Sequence, residues 1–202
     1  MSIISSSSDN LLAEKALSEP SRVRVEKIIR ANKRLSDLID EYLSYERLGA
    51  DSRESEYDVV DVGQVARRVA QESSDAEGPS IQLRVDQPVT VMGDAELLRV
   101  VLHNLINNAR RHSPPQGVVV VRVSRHGDEA EVVVEDQGAG ISDHERERIF
   151  DKFFRGQNAM AKPGAGMGLY LVKSIVEQHG GVVGQRNLLP TGCQFVIRLP
   201  AC

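Results

Sequence analysis

The stretch VVVVRVSRHGDEAEVVVED, Val118 to Asp136, decides the fold. Two runs rich in β-branched residues flank the short breaker His126 to Asp128, so the chain turns back on itself as an antiparallel pair. A parallel connection needs a crossover of about a dozen residues or more, and none is present. An all-parallel, doubly wound layout is therefore disfavoured from the start.

Working outward, strands are expected near Tyr57–Val60, Ile81–Val85, Val89–Met92, Val118–Ser124, Ala130–Glu135, Gly181–Gln185 and Gln194–Leu199. Helices fall between them, over Val62–Ser73, Ala95–Arg111, Ser142–Phe150 and Gly168–His179. Ser142 and Glu145 occupy capping-box positions, and Gly180 with Gly181 stops the last helix. The expected class is α+β: a two-layer α/β sandwich with a mixed sheet.

Upstream, Ile28, Ala31, Leu35, Leu38, Tyr42 and Tyr45 alternate in steps of three and four, which predicts one long helix over Ser18–Leu48 with a single apolar seam. A shorter helix is expected over Ser5–Ala16, closing a hairpin around Ser18–Ser21. So thin a hairpin must pack on something. Dimerisation into a four-helix bundle is one solution, and packing on the same domain is the other. The run GADSRES, Gly49–Ser55, divides residues 1–50 from residues 56–202.

Composition bounds the chemistry. The chain has 202 residues, 25 Lys and Arg against 29 Asp and Glu, and a net charge of -4, with no long basic tract. A nucleic-acid partner is not expected. Cys193 and Cys202 are the only cysteines and show no metal-ligand spacing, so a reducing cytoplasm is the default compartment. No apolar run reaches membrane-spanning length, and MSIISSSSDNLL lacks the basic leader of a signal peptide. Any membrane anchor of a parent protein lies elsewhere.

Four segments carry chemistry. In DAELLRVVLHNLINNARRHSPP, residues 94–115, Leu98, Val101, Leu102, Leu105 and Ala109 form a buried stripe, while Asn104, Asn108 and Arg111 share another face. An asparagine offers a neutral oxygen to a cation and an amide donor to a phosphate, so this stripe suits a metal-phosphate ligand or is plain solvated surface. His112 lies beside it and His103 flanks it, whereas His126, His144 and His179 read as loop or surface residues. VVVEDQGAGI places Asp136 at a strand end, able to accept a hydrogen bond from an exocyclic amine, with Gly138 and Gly140 keeping the wall open; it is equally an ordinary turn. IFDKFFRG brings Phe153 and Phe154, read as braces of the fold or of a lid. GAGMGL sets Gly164, Gly166 and Gly168 at a helix entrance, which fits a phosphate loop, a lid hinge or an unliganded loop.

Taken in order, the asparagine helix, Asp-x-Gly-x-Gly turn, Phe-rich segment and second glycine loop resemble the catalytic ATP-binding domain of sensor histidine kinases. HNLINNARRHS is similar to that family's asparagine box, DQGAG and GAGMGL to its two glycine boxes, and IFDKFFR to its phenylalanine box. The resemblance covers about Tyr57–Pro200. LIDEYLSYERLGA looks like the end of the family's dimerisation and phosphotransfer hairpin.

The resemblance implies that Asn108 binds Mg2+ bridging the ATP phosphates, with Asn104, Arg111 and His112 nearby. It implies that Asp136 reads the adenine amine and that Gly138, Gly140 and Ile141 shape the base pocket. Phe153, Met167 and Leu169 join the ATP-facing set, Gly164, Gly166 and Gly168 hinge a lid, and Arg155 or Lys162 adds a cation to the phosphates. The implied reaction passes the γ-phosphoryl of ATP to a histidine and on to a response regulator, in a cytoplasmic homodimer whose parent can be anchored in the inner membrane.

Two departures stand out. Cys193 in GCQF replaces a small hydroxyl residue, which puts a polar contact near the adenine in doubt. None of the five histidines lies in the first hairpin helix, where MSIISSSS looks like the sequence after the acceptor, so the acceptor is expected upstream of Met1. HNLINN holds no glutamate to activate water, unlike gyrase-type and mismatch-repair ATPases, so hydrolysis should be slow. The alternative is a non-kinase module using the same pocket as a conformational switch. A Ser/Thr-directed anti-sigma kinase is disfavoured by the hairpin.

Overall fold

The computed structural model describes residues 18, 20–29, 57–74, 78–156 and 166–202. Lys162, Gly164, the boundary at Gly49–Ser55, the expected helix over Ser5–Ala16 and the seam from Ala31 to Tyr45 lie outside them. Residues 20–29 are helical, as the seam predicts, with Val25 buried and Ile28 exposed.

From Asp58 the order is β1 (Asp58–Asp61), α1 (Val62–Glu72), β2 (Ser80–Val85), β3 (Thr90–Gly93), α2 (Ala95–His112), β4 (Val118–His126), β5 (Glu129–Asp136), α3 (Gly168–Gln178), β6 (Val182–Asn187) and β7 (Cys193–Pro200). The turn between β4 and β5 is Gly127–Asp128, and His126 faces Glu129 across it. Alternation does the rest: Val119, Val121 and Val123 are fully buried, while Val120, Arg122 and Ser124 point to the other face. The main sheet runs β2-β4-β5-β7-β6, with β2 parallel to β4 and every other pair antiparallel, so it is mixed as expected.

The helices α1, α2 and α3 lie in one layer. The core seals Val69 of α1, Val101, Leu105 and Ile106 of α2, and Leu171 and Ile175 of α3 against Val121, Val132 and Ile197 of the sheet. Each such side chain contributes roughly 1.5–3 kcal/mol on burial, so the interlayer contact dominates stability. Asp94 starts α2 by accepting hydrogen bonds from the N–H groups of Glu96 at 2.7 Å and Leu97 at 3.1 Å. Its apolar stripe fixes the helix's rotation and turns Asn104, Asn108 and Arg111 away from the core.

One pairing was left open by the sequence, and one expected helix is corrected. β1 and β3 form an antiparallel ribbon of their own, joined to the end of β7 through the Val91–Ala201 bridge. Strand propensity locates these segments but not their partners. Ser142–Phe150 is a run of turns and not a helix. Ser142 Oγ donates to the Glu145 carboxylate at 2.5 Å instead of capping a backbone N–H, and the segment's backbone bonds mix spacings of three and four, as in Arg148 and Ile149, which both donate to Glu145 O.

Candidate functional site

The site is built where β5 and α2 end and β7 begins. Asp136 closes β5 opposite Cys193, the first residue of β7, and is only 6% exposed. A buried carboxylate needs donors, and Asp136 Oδ1 accepts from the N–H of Gly138 at 2.8 Å and of Cys193 at 3.1 Å. That pair of bonds fixes the carboxylate plane. A Cβ on Gly138 would lie 2.8 Å from the His112 carbonyl oxygen, so the glycine turn packs directly on the end of the asparagine helix. Gln137 strengthens the join: its N–H donates to Ser113 Oγ at 3.2 Å, and its Oε1 accepts from Val118 N–H at 3.0 Å. Asp136, Gly138 and His112 are thus brought together.

Along α2, the Asn104 Nδ2 bonds back to Val100 O at 2.9 Å, and Asn107 pairs with the His103 ring. Asn108 is half-buried, and its carboxamide has no hydrogen-bond partner among the described residues. Arg111 is exposed. Gly140 and Ile141 lie at the other end of the turn, against Asn187 of β6.

The second cluster joins the Phe-rich segment to the start of α3. Gly166 has φ +78°, and a Cβ there would sit 2.7 Å from Phe154 O and 3.1 Å from Arg155 Cγ. Phe153, at φ 65°, is 62% exposed, with the Lys152 ammonium 5.5 Å from its ring. Phe154 braces the fold: it packs on the core, with the Arg148 guanidinium 4.6 Å over its ring. Met167 is buried and precedes α3 without any side-chain cap, Gly168 is its first residue, and Leu169 packs on the core. The N–H groups of that first turn aim away from the helix body, where an anion is favoured.

Two residues depart from expectation, and three others enter the site unannounced. Burial pushes the Cys193 thiol up to about 12, so it stays protonated; its Sγ accepts from Gln185 Nε2 at 3.0 Å, and its backbone N–H supplies the polar contact on Asp136. His179 is not a surface residue. It is buried, stacks on Tyr57 at 4.9 Å between ring centroids, bonds Ile175 O through Nδ1 at 2.8 Å and accepts from Asp94 N–H at Nε2, 3.1 Å away. Burial holds its pKa below the ordinary value, against the raising effects of Ile175 and Asp94. Asn187, Gln185 and Gly192 were not anticipated at all: a Cβ on Gly192 would meet Asp136 O at 2.3 Å. Asn187 and Ile141 are 46 residues apart, and no local pattern pairs them.

Among the described residues no three His, Cys, Asp or Glu side chains cluster to hold a metal, and no helix is long and apolar enough to cross a membrane. The layer of α1, α2 and α3 on a mixed sheet thus carries at its rim a buried aspartate, Asp136, walled by Gly138 and Gly192.

Residues 93–202 match the family described as histidine kinase-, DNA gyrase B-, and HSP90-like ATPase, and the chain belongs to that family. It is 34% identical over 196 residues to the sensor-like histidine kinase SenX3 of Mycobacterium tuberculosis (strain ATCC 25618 / H37Rv), covering 95% of this chain and 48% of the relative. Among solved structures it resembles full-length ShkA in complex with AMPPNP, with a TM-score of 0.74 and 28% identity over 98% of this chain and 42% of that one. The mycobacterial sensor histidine kinase MprB superposes with a TM-score of 0.62 and 34% identity, over 72% of this chain and 98% of that chain. The chain spans about half the length of the curated relatives with which it aligns most fully.

Proposed function

We propose that the chain is the ATP-binding catalytic core of a two-component sensor histidine kinase, which passes the γ-phosphoryl of Mg-ATP to a histidine of a phosphotransfer hairpin and then to a response regulator's aspartate. The observation that carries this is Asp136: buried at the rim, fixed by two backbone N–H groups and walled by Gly138, it is oriented to accept from the exocyclic amine of adenine. Gly140, Ile141, Met167 and Leu169 complete the base pocket and its edge. In this reading Asn104, Arg111 and His112 lie near the phosphates, Arg155 or Lys162 adds a cation to them, and Gly164, Gly166 and Gly168 hinge the lid.

Mg2+ fits this donor set. Such ions keep waters and bind substrate phosphates with few protein ligands, and the unpartnered Asn108 carboxamide supplies one neutral oxygen without a protein cage. When bound, the ion neutralises charge developing on the phosphates. The chain's own contribution is positioning: α2 presents its polar face, and the uncapped start of α3 offers backbone N–H groups. No glutamate stands among the asparagines to activate water, which favours transfer over hydrolysis.

In this reading residues 1–50 belong to the dimerisation hairpin and 56–202 to the catalytic domain, the assembly is a cytoplasmic homodimer, and its partner is a receiver domain. Light scattering at the monomer mass for the whole chain would remove the dimer. For the pocket, calorimetry should give Asp136→Ala at least a tenfold loss of ATP, since a hydrogen bond at a buried charge contributes roughly 1.5–3 kcal/mol, and preference over GTP should shrink with it. Unchanged affinity would sink the assignment.

A further inference from the structure

The rim of the base pocket is held from behind, and we infer that Asn187, backed by Gln185, is the positioning residue that sets this rim for a purine. The inference rests on the nucleotide-binding reading and deepens it. Ile141 leaves the glycine turn with both backbone groups outside any strand, and one carboxamide satisfies the pair. Its N–H donates to Asn187 Oδ1 at 2.9 Å, and Asn187 Nδ2 donates to its carbonyl at 2.7 Å. Only a side chain carrying a donor beside an acceptor can do this.

Gly140, immediately before, adopts φ +76°, and a Cβ built there would come within 3.0 Å of Asn187 Oδ1. The left-handed bend and the carboxamide therefore fit each other, and glycine is the residue that takes the bend without strain. Gln185 stands two residues earlier on β6, on the same face of the strand. It uses both amide hydrogens: Nε2 donates to Asn187 Oδ1 at 3.0 Å and to Cys193 Sγ at 3.0 Å. Cys193 N–H in turn donates to Asp136 Oδ1, which also accepts from Gly138. A belt of hydrogen bonds thus runs Ile141, Asn187, Gln185, Cys193, Asp136, Gly138, and returns to the turn it started from.

None of the proposed ligand contacts is made by Asn187 itself, so its effect is on the population of the competent turn. A turn freed at Ile141 samples other shapes, and base affinity falls by the fraction of molecules left competent. Asn187 is exposed, so removing its side chain opens no core cavity and should leave global stability close to that of the wild type.

The test is titration calorimetry of the whole chain with Mg-ATP, Mg-GTP and inorganic tripolyphosphate, alongside urea unfolding. Asn187→Ala is expected to weaken ATP about five- to tenfold and GTP less, contracting the ATP-to-GTP ratio, with tripolyphosphate affinity and the urea midpoint near wild type. Gln185→Ala should fall between the two. Wild-type ATP affinity and ratio in Asn187→Ala would overturn the inference, as would an equal loss for all three ligands together with a lowered urea midpoint, which marks general loosening. A wild-type chain that binds no ATP fails the nucleotide reading itself, and the inference with it.

Discussion

Asn108 and Asp136 are held in opposite ways for the roles proposed for them. Asp136 is buried and held by backbone donors, so its orientation is fixed before any ligand arrives. Asn108 is half-buried with its carboxamide unpartnered among the described residues, so its hydrogen-bonding capacity remains for a ligand. Asn104, one turn earlier, has already turned its amide onto Val100 O. If Asn108 holds the metal, Asn108→Ala should weaken Mg-ATP by roughly 1.5–3 kcal/mol while changing metal-free ATP far less. Calorimetry with and without EDTA checks this, and equal losses in both would transfer the metal elsewhere. The asparagine stripe was legible in the sequence because helical periodicity separates it from the leucines. Which of the three asparagines was still available was not, since that depends on rotamers and on His103, which engages Asn107.

At the level of elements, the strands were legible where alternation is strong, as in β4 and β5, and the glycines ending α3 were read correctly. What failed was partnership. The ribbon of β1 and β3 pairs segments distant in sequence, which periodicity does not encode, whereas Ser142–Phe150 leaves the expected helix through its own local bonds. His179 is the sharpest case: a polar residue before two glycines looks like surface, yet it ties the end of α3 to the start of α2 and to Tyr57, whose hydroxyl donates to Gln178 O at 3.2 Å. Its Nε2 must stay unprotonated to accept from Asp94 N–H, so the neutral ring is the one that fits. The folded pKa lies below the unfolded value of about 6.5, and the unfolded chain therefore takes up the proton first. The contribution is complete above that pH and is lost as pH falls below it, towards the folded value. Urea midpoints measured between pH 7.5 and 5.5, as an order-of-magnitude window around that value, should drop for the wild type and less steeply for His179→Gln, which cannot titrate. Glu135 acts in a more acidic window: burial raises its pKa, but the hydrogen bonds from Arg122 and Gln194 and the charges of Arg122 and Arg186 outweigh this and hold it low. Parallel curves for the two proteins would remove His179 as the source.

Across the described residues, one face of the main sheet is sealed by α1, α2 and α3, and the other carries a ladder in which Arg122 and Gln194 donate to Glu135 and Arg186 donates to Gln194. All the chemistry proposed here therefore gathers at one rim, where β5 and β7 meet the end of α2 and the start of α3. Phosphoryl transfer needs a nucleophile presented in line with the γ-phosphate, and a rim that only cradles the nucleotide cannot supply one. The chain's five histidines are at 103, 112, 126, 144 and 179, all within the ATPase domain. His179 is buried with both ring nitrogens engaged, His103 is engaged by Asn107, and the His112 backbone forms the floor under Gly138. His126 contacts Ser124 and Glu131 on the opposite face of the sheet from the helices, remote from the start of α3. His144 is exposed in the turn segment. In the proposed reading His112 belongs to the nucleotide's own cradle, and none of the five lies in residues 1–50, where the resemblance places the hairpin. This chain incubated with γ-labelled Mg-ATP should therefore bind nucleotide and hydrolyse it slowly while gaining no stable phosphohistidine. Acid-labile, base-stable label on the chain would contradict this, and tandem mass spectrometry of the labelled peptide would identify the histidine that reaches the phosphate.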